Sequence, residues 1–117
     1  MLRAADEYSS EQIRKWLDKT ILGIRERKIG REQLQHATIT LSNFGAIAGL
    51  FATPVVTPPQ VAIVGAGRIM DKVQIREGQV VAIKSLPLSI TFDHRACTGG
   101  EAARFVKALS MHLQNKR

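Results

Sequence analysis

The sequence has little of several features that would place a protein in a particular class. Cys97 is the only cysteine among 117 residues, so no disulfide can form within the chain. This fits a reducing compartment, and we expect the cytoplasm, or the mitochondrial matrix in a eukaryote. No apolar run approaches the ~20 residues that a membrane-spanning helix needs, so no membrane partner is predicted. Residues 1–8 contain Asp6 and Glu7 and no apolar block, which predicts no signal peptide.

Aromatic side chains are also few, at 5% of residues, although the formal net charge is +7. They do not alternate with the basic residues, so a base-stacking platform is not supported and we expect no nucleic-acid partner. Two readings of the charge stay open: a solvated face, or a docking surface for an acidic ligand or partner domain. The basic residues are spread along the chain: Lys116 and Arg117 end it, and one predicted helix carries Arg14, Lys15, Lys19, Arg25, Arg27 and Lys28.

The length of the chain and its helix and strand patterns predict one modest mixed α/β domain. Ser9 and Gln12 have the spacing of a capping box, and apolar residues then recur every three or four positions. This predicts a helix from about Ser10 to Lys28 that stops at Gly30, with one further turn at 31–34. A second apolar stripe predicts a final helix near 100–114, formed by Ala102, Phe105, Val106, Leu109 and Leu113.

Between these helices the pattern predicts four to six strands. Residues 38–41 alternate polar and apolar, 61–64 are fully apolar and fit a central strand, and 72–75 with 79–83 flank a turn as a hairpin does. Residues 86–94 alternate as well, which places His94 on the buried face at the end of its strand. Residues 45–59 are rich in glycine and proline, and so long an irregular stretch is usually functional or packed against a partner.

The segment at 61–67 resembles the start of a dinucleotide-binding fingerprint. That fingerprint needs a third glycine, where this chain has Met70, and a helix that presents amides to the pyrophosphate. The residues that follow form a hairpin pattern instead. Close strand packing therefore explains Gly65 and Gly67 better than a nucleotide site does.

Three side chains could carry chemistry. His94, beside a glycine turn, is placed as a general base, with a satisfied core histidine as the alternative. Ser42, 52 residues earlier, could act as a nucleophile or donate to an oxyanion, with a turn serine as the alternative. Cys97 is a weaker nucleophile candidate and fits a small buried thiol. His36 and His112 have weaker cases still, and no spacing predicts a metal site.

Several segments together resemble the dihydrolipoamide acyltransferases and the chloramphenicol acetyltransferases. The family signature is a histidine, three residues and then Asp-Gly, commonly set in Asp-His-Arg; here residues 92–99 read Phe-Asp-His-Arg-Ala-Cys-Thr-Gly. Residues 101–105 are similar to the segment that follows it. Residues 38–45 are similar to the family's Thr-Ile-Ser-Asn segment, and 53–54 and 59–63 fit the loop and strand after that.

The resemblance implies a chloramphenicol acetyltransferase-like fold, a two-layer mixed sheet with helices, of which residues 1–117 would be the C-terminal half. It implies acyl transfer between dihydrolipoamide and coenzyme A within a 2-oxo acid dehydrogenase complex, both being substrates, with no tightly bound cofactor. His94 would be the base, Ser42 the oxyanion donor, and Thr98 the residue at the family's acidic position. The implied partners are further copies in a trimer-based homo-oligomer, a lipoyl domain and the other components of the complex.

Two departures keep a second reading open. Thr98 stands where the family has Asp or sometimes Asn, and threonine can keep a hydrogen bond but not a charge pair. A complete acyltransferase domain is also about twice this length. Both departures favour a non-catalytic structural paralogue or fragment with the same fold, whereas His94 and Ser42 favour an enzyme.

Overall fold

The computed structural model describes residue 2 and residues 4–115. The chain divides into two compact units, one up to Ala37 and one from Thr38 onward. Within the described residues, no helix combines the length and the apolar character needed to cross a membrane.

The first unit is built on α1 (Ser10–Arg25), preceded by a 3-10 turn at Ala5–Glu7 and followed by another at Arg31–Leu34. The predicted capping box is present: the Ser9 hydroxyl accepts from the Gln12 amide, and the Gln12 side chain accepts from the Ser9 amide. The 3-10 turn confirms the predicted further turn.

The end of α1 was predicted three residues too late. Arg27 adopts a left-handed conformation (φ 55°), its amide donates to the Ile24 carbonyl, and the Lys28 amide donates to the Gly23 carbonyl at 2.8 Å. This pair of bonds is the Schellman motif, which normally places glycine at the left-handed position. Because arginine occupies it here, the sequence did not reveal where the helix ends.

The second unit contains a three-stranded sheet in the order β1-β2-β5. β1 (Thr40–Asn43) runs parallel to β2 (Ala62–Ala66), and β5 (Leu88–Phe92) runs antiparallel to β2 on its other side. The prediction that the apolar run at 61–64 forms a central strand is therefore confirmed. β1 begins two residues later than predicted, so Ser42 lies inside the strand.

The predicted hairpin forms a separate two-stranded sheet from β3 (Met70–Arg76) and β4 (Gln79–Ser85). Its turn consists of Glu77 and Gly78, both at positive φ (51° and 77°), as a type I′ turn requires. The described residues thus contain five strands, within the predicted range.

α2 (Gly99–Asn115) packs against β5. Val64 on β2 and Ala102 on α2 are the hydrophobic side chains that the structure buries among the described residues. The predicted apolar stripe of α2 is therefore only partly covered, since Phe105 is 43% exposed. Periodicity predicted the apolar face of α2, but it does not indicate what lies opposite that face.

The glycines of the apparent nucleotide fingerprint serve packing, as the sequence indicated. A Cβ on Gly65 would lie 2.8 Å from Cε1 of Phe44, and a Cβ on Gly67 would overlap the backbone carbonyl of Leu50. The segment after Gly67 is β3 rather than a helix. The requirements of a dinucleotide site are therefore not met here.

Replacing Gly67 with alanine should destabilise the second unit by about 1–3 kcal/mol or more, because the added methyl meets backbone that cannot rotate away. Gly99→Ala is the matched control, since a Cβ there meets nothing within 4 Å. Chemical denaturation of both variants checks this. Equal midpoints for the two variants would contradict the close approach of residues 50 and 67.

Candidate active site

His94 lies in a turn after β5, not at the end of the strand. The prediction that it faces inward is wrong: β5 stops at Phe92 and the His94 side chain is exposed. Asp93 causes the early stop. Its amide still bonds the Val61 carbonyl at 2.8 Å, but its own carbonyl accepts from the amides of Ala96 (2.9 Å) and Cys97 (3.2 Å). The backbone therefore curls at Asp93 and presents His94 outward.

The side chains of Asp93 and Arg95 close this turn. Asp93 Oδ1 accepts from the Arg95 backbone amide at 2.9 Å, and Oδ2 accepts from Nη2 of its guanidinium at 2.6 Å. Hydrogen bonds from the Arg95 side chain and then its amide lower the pKa of Asp93 to about 2. Asp93 is thus a carboxylate at neutral pH and is bound to Arg95. It orients the turn, while the His94 ring contacts Phe92 at 5.6 Å between centroids.

Thr98 is the N-cap of α2. Its amide and its hydroxyl both donate to Glu101 Oε2, at 2.7 and 2.8 Å, and its oxygen accepts from the Glu101 amide at 3.3 Å. This is a capping box of the Thr-x-x-Glu type. The spacing of Thr98 and Glu101 is visible in the sequence, as that of Ser9 and Gln12 is, and it could have predicted the start of α2.

Cys97 points away from the exposed turn. It is half-buried, and its Sγ lies 3.9 Å from the Asp93 carbonyl that accepts its weak hydrogen bond. It lines an apolar cavity of about 210 Å³ between α2 and the sheet, beside Phe92 and Ala102. This position fits the small structural thiol rather than the nucleophile.

Ser42 is half-buried within β1. It pairs with Gly65, which in turn pairs with Ser89, so the three residues form one row across the sheet on the same face. The Ser89 hydroxyl accepts from the Ala52 amide at 3.4 Å. Among the described residues the Ser42 hydroxyl has no recorded hydrogen-bond partner, and it is therefore available to donate to a ligand.

One chain does not bring Ser42 and His94 together. Ser42 pairs with Gly65 and Phe92 with Ala62, so the two rows are three residues apart, and β1 and β5 are separated by β2. At ~3.3 Å per residue and ~4.8 Å per strand, the Cα atoms of Ser42 and Phe92 are about 14 Å apart. His94 lies two residues further on. This separation exceeds the reach of a serine and a histidine side chain.

The other two histidines gain no further support from the structure. His36 belongs to the first unit, where its φ is 66°, and His112 is exposed on α2. Within residues 2 and 4–115, no group of three or more His, Cys, Asp or Glu side chains is arranged to hold a metal ion. Three basic residues of the α1 region pair with acidic neighbours: Arg14 with Asp18 at 3.0 Å, and Lys15 with Glu11 and Lys28 with Glu26 at 2.7 Å each. That pairing favours the solvated-face reading.

Comparison with known proteins adds to this geometry. The sequence model described as 2-oxoacid dehydrogenases acyltransferase (catalytic domain) matches residues 1–117. The lipoamide acyltransferase component of a branched-chain alpha-keto acid dehydrogenase complex from Pseudomonas putida is 45% identical over 85 residues, 73% of this chain and 20% of that protein.

Two solved structures have the same fold. The dihydrolipoamide acetyltransferase of Azotobacter vinelandii superposes with a TM-score of 0.90 at 32% identity, over 97% of this chain and 47% of that one. Work on that protein concerns the catalytic roles of a serine, a histidine 52 residues later and an asparagine four residues after the histidine. The cubic core of a pyruvate dehydrogenase multienzyme complex superposes with a TM-score of 0.90 at 33% identity, over the same shares of the two chains. This chain therefore spans about half the length of these solved relatives.

Proposed function

Because the chain belongs to the family of 2-oxoacid dehydrogenase acyltransferase catalytic domains, we propose that it moves an acyl group between dihydrolipoamide and coenzyme A. Residues 1–117 would form the C-terminal part of that catalytic domain. The acyl group stays open, since the relatives include a branched-chain and an acetyl type.

One observation carries this proposal. Ser42, His94 and Thr98 are separated by 52 and then four residues, the same spacings as the serine, histidine and asparagine studied in the catalytic mechanism of the Azotobacter vinelandii protein. Three residue positions at matching spacings, in a fold with a TM-score of 0.90, are a specific correspondence. The third position differs, since threonine replaces asparagine.

The chemistry follows from the groups that each position offers. A free thiol has a pKa near ~8.5, so only a few per cent is thiolate at neutral pH and a base is useful. His94 takes the thiol proton as the sulfur attacks the thioester carbonyl, and returns it to the departing sulfur. The free Ser42 hydroxyl donates to the oxyanion of the tetrahedral intermediate. Neither residue becomes acylated, and the two thiols exchange the acyl group directly.

The site requires two copies of the chain. Since Ser42 and His94 are too far apart within one chain, the Ser42 of one copy has to meet the His94 of another. A ring of three copies repeats this contact three times, which fits the trimer-based homo-oligomer that the resemblance implies. The cubic core among the solved relatives supports a larger assembly of this kind. A lipoyl domain would then present dihydrolipoamide, and the other dehydrogenase components would be further partners.

A non-catalytic structural paralogue is the second candidate, and two observations favour it. Thr98 cannot provide the charge or the amide of the family position, and large apolar side chains such as Leu41 (71% exposed) and Phe51 (70%) are uncovered in this chain. A chain that spans half a domain offers such side chains to the other half of the domain or to other copies.

Acetyl transfer from acetyl-coenzyme A to dihydrolipoamide separates the two candidates. It should be assayed for this chain alone and after mixing with the N-terminal half of a related catalytic domain, and the assembly mass should be measured by light scattering. We expect transfer together with a mass that is a multiple of three chains. A defined oligomer that transfers nothing in either preparation would favour the structural paralogue, and a monomer that transfers acetyl groups would contradict the two-copy site.

A further inference from the structure

The two helices of this chain begin with the same capping motif but with different charges. At α1, the Ser9 amide donates to Gln12 Oε1 at 2.8 Å and the Gln12 amide donates back to Ser9 Oγ at 3.3 Å. At α2, the matching distances between Thr98 and Glu101 are 2.7 and 3.3 Å. A neutral amide therefore closes such a box in this chain as well as a carboxylate does. Capping alone does not explain a charge at Glu101.

The box at α2 has one hydrogen bond that the box at α1 lacks. The Thr98 hydroxyl donates its single proton to Glu101 Oε2 at 2.8 Å, while its oxygen accepts from the Glu101 amide. A carboxylate acceptor makes this bond roughly twice as strong as a neutral one. Bonds from the Thr98 amide and then its hydroxyl lower the pKa of Glu101, which keeps the group ionised at neutral pH. The hydroxyl of Thr98 is thus fixed, with a negative charge beside it.

The His94 turn lies between two such carboxylates. At its start, Asp93 binds the amide and guanidinium of Arg95. At its end, Glu101 binds the amide and hydroxyl of Thr98. The four residues between Asp93 and Thr98 include His94. Its side chain is exposed and makes no hydrogen bond among the described residues. Beyond its contact with the Phe92 ring, the position of the His94 ring therefore depends on how firmly the two ends of the turn are held.

We propose that Glu101 is a positioning residue for the acyl transfer: bound to Thr98, its carboxylate fixes the end of the His94 turn and supplies the charge that threonine at position 98 lacks. This inference rests on the proposed function. Glu101 touches no reacting atom and acts through Thr98. Because the His94 ring has to be in place when it takes the thiol proton, the loss of Glu101 lowers kcat more than it raises KM.

Glu101→Gln tests this, because glutamine keeps the box closed and removes only the charge. We expect a melting temperature close to that of the unchanged chain, a kcat lower by about tenfold, as when a charge-assisted hydrogen bond is weakened to a neutral one, and an unchanged KM for coenzyme A. Glu11→Gln is the matched control, since it removes an exposed carboxylate from the first turn of α1. It should change neither constant.

A second substitution separates positioning from simple capping. Thr98→Asp alone places two carboxylates side by side and should not raise kcat. In the Glu101→Gln background, Thr98→Asp returns one carboxylate to the end of the turn and should restore most of the lost kcat. A residue that only caps α2 gives no such rescue, so a double variant as slow as Glu101→Gln would count against the proposal.

Nuclear magnetic relaxation of the backbone amides tests the role of Glu101 without an activity assay. In Glu101→Gln we expect faster local motion at His94, Arg95 and Ala96, while the first turn of α2 stays ordered through the closed box. Unchanged relaxation at these three amides overturns the role of Glu101, whatever the rate of transfer. If the chain transfers nothing but Glu101→Gln still loosens the turn, the proposed function is refuted, and what remains is that Glu101 holds the His94 turn.

Discussion

Alanine at position 94 should lower the turnover of acyl transfer by roughly 10²–10⁴-fold, the usual contribution of a general base. Without the imidazole, attack depends on the small fraction of thiol that is already ionised. The turnover of His94→Ala should therefore rise as the pH approaches the thiol pKa, because the solvent then removes the thiol proton that His94 removes in the unchanged protein. The measurement is kcat for acetyl transfer at several pH values in the assembled protein.

Because His94 is exposed, its replacement should change activity without unfolding the protein. The His94 side chain is exposed apart from its ring contact with Phe92, so His94→Ala should melt close to where the unchanged protein does. His112→Ala is the matched control, because it removes another exposed histidine, which lies on α2. Equal turnover of the two variants would remove His94 from the mechanism.

Replacing Ser42 with alanine should lower turnover by roughly 10²–10³-fold, as the loss of one oxyanion donor does. The effect should fall on kcat, because the hydroxyl binds charge that develops only in the intermediate. Ser89→Ala is the matched control from the same row of the sheet. It removes the acceptor of the Ala52 amide and should change stability by about 1 kcal/mol, with little change in kcat.

Mixing the two inactive variants tests where the site is assembled. If Ser42 and His94 of one site come from different copies, a mixed oligomer of Ser42→Ala and His94→Ala chains contains some sites with both residues intact. Random mixing of equal amounts gives about a quarter of the unchanged activity. If both residues of a site came from one chain, no mixture would recover activity, and the separation read from the strand register would be contradicted.

The sequence predicted those parts of the fold that depend on local patterns. The capping box of Ser9 and Gln12 located the start of α1, and the apolar run at 61–64 identified the central strand. The turn of Glu77 and Gly78 was included in a predicted hairpin. Each of these is decided by residues close together in the chain, which is why the prediction succeeded.

The errors arise where a single side chain overrides the pattern. Periodicity continued β5 to His94, but the bonds from Arg95 to Asp93 end the strand two residues earlier. Arg27 ends α1 in a conformation that usually indicates glycine. The distance between Ser42 and His94 depends on strand order, and periodicity carries no information about strand order.

The β3–β4 hairpin makes newly synthesised chains prone to aggregate before they assemble. Its strands pair only with each other among the described residues, and Val73, Ile75 and Val80 on one face are each more than 70% exposed. Such a hairpin forms within microseconds of synthesis, long before copies of the chain meet. Its open edges and apolar face can meanwhile pair with any other extended segment and aggregate. The yield of soluble protein should therefore depend on how quickly other copies cover the hairpin of each new chain. Slow synthesis or added chaperones should raise this yield more than a gain in intrinsic stability would.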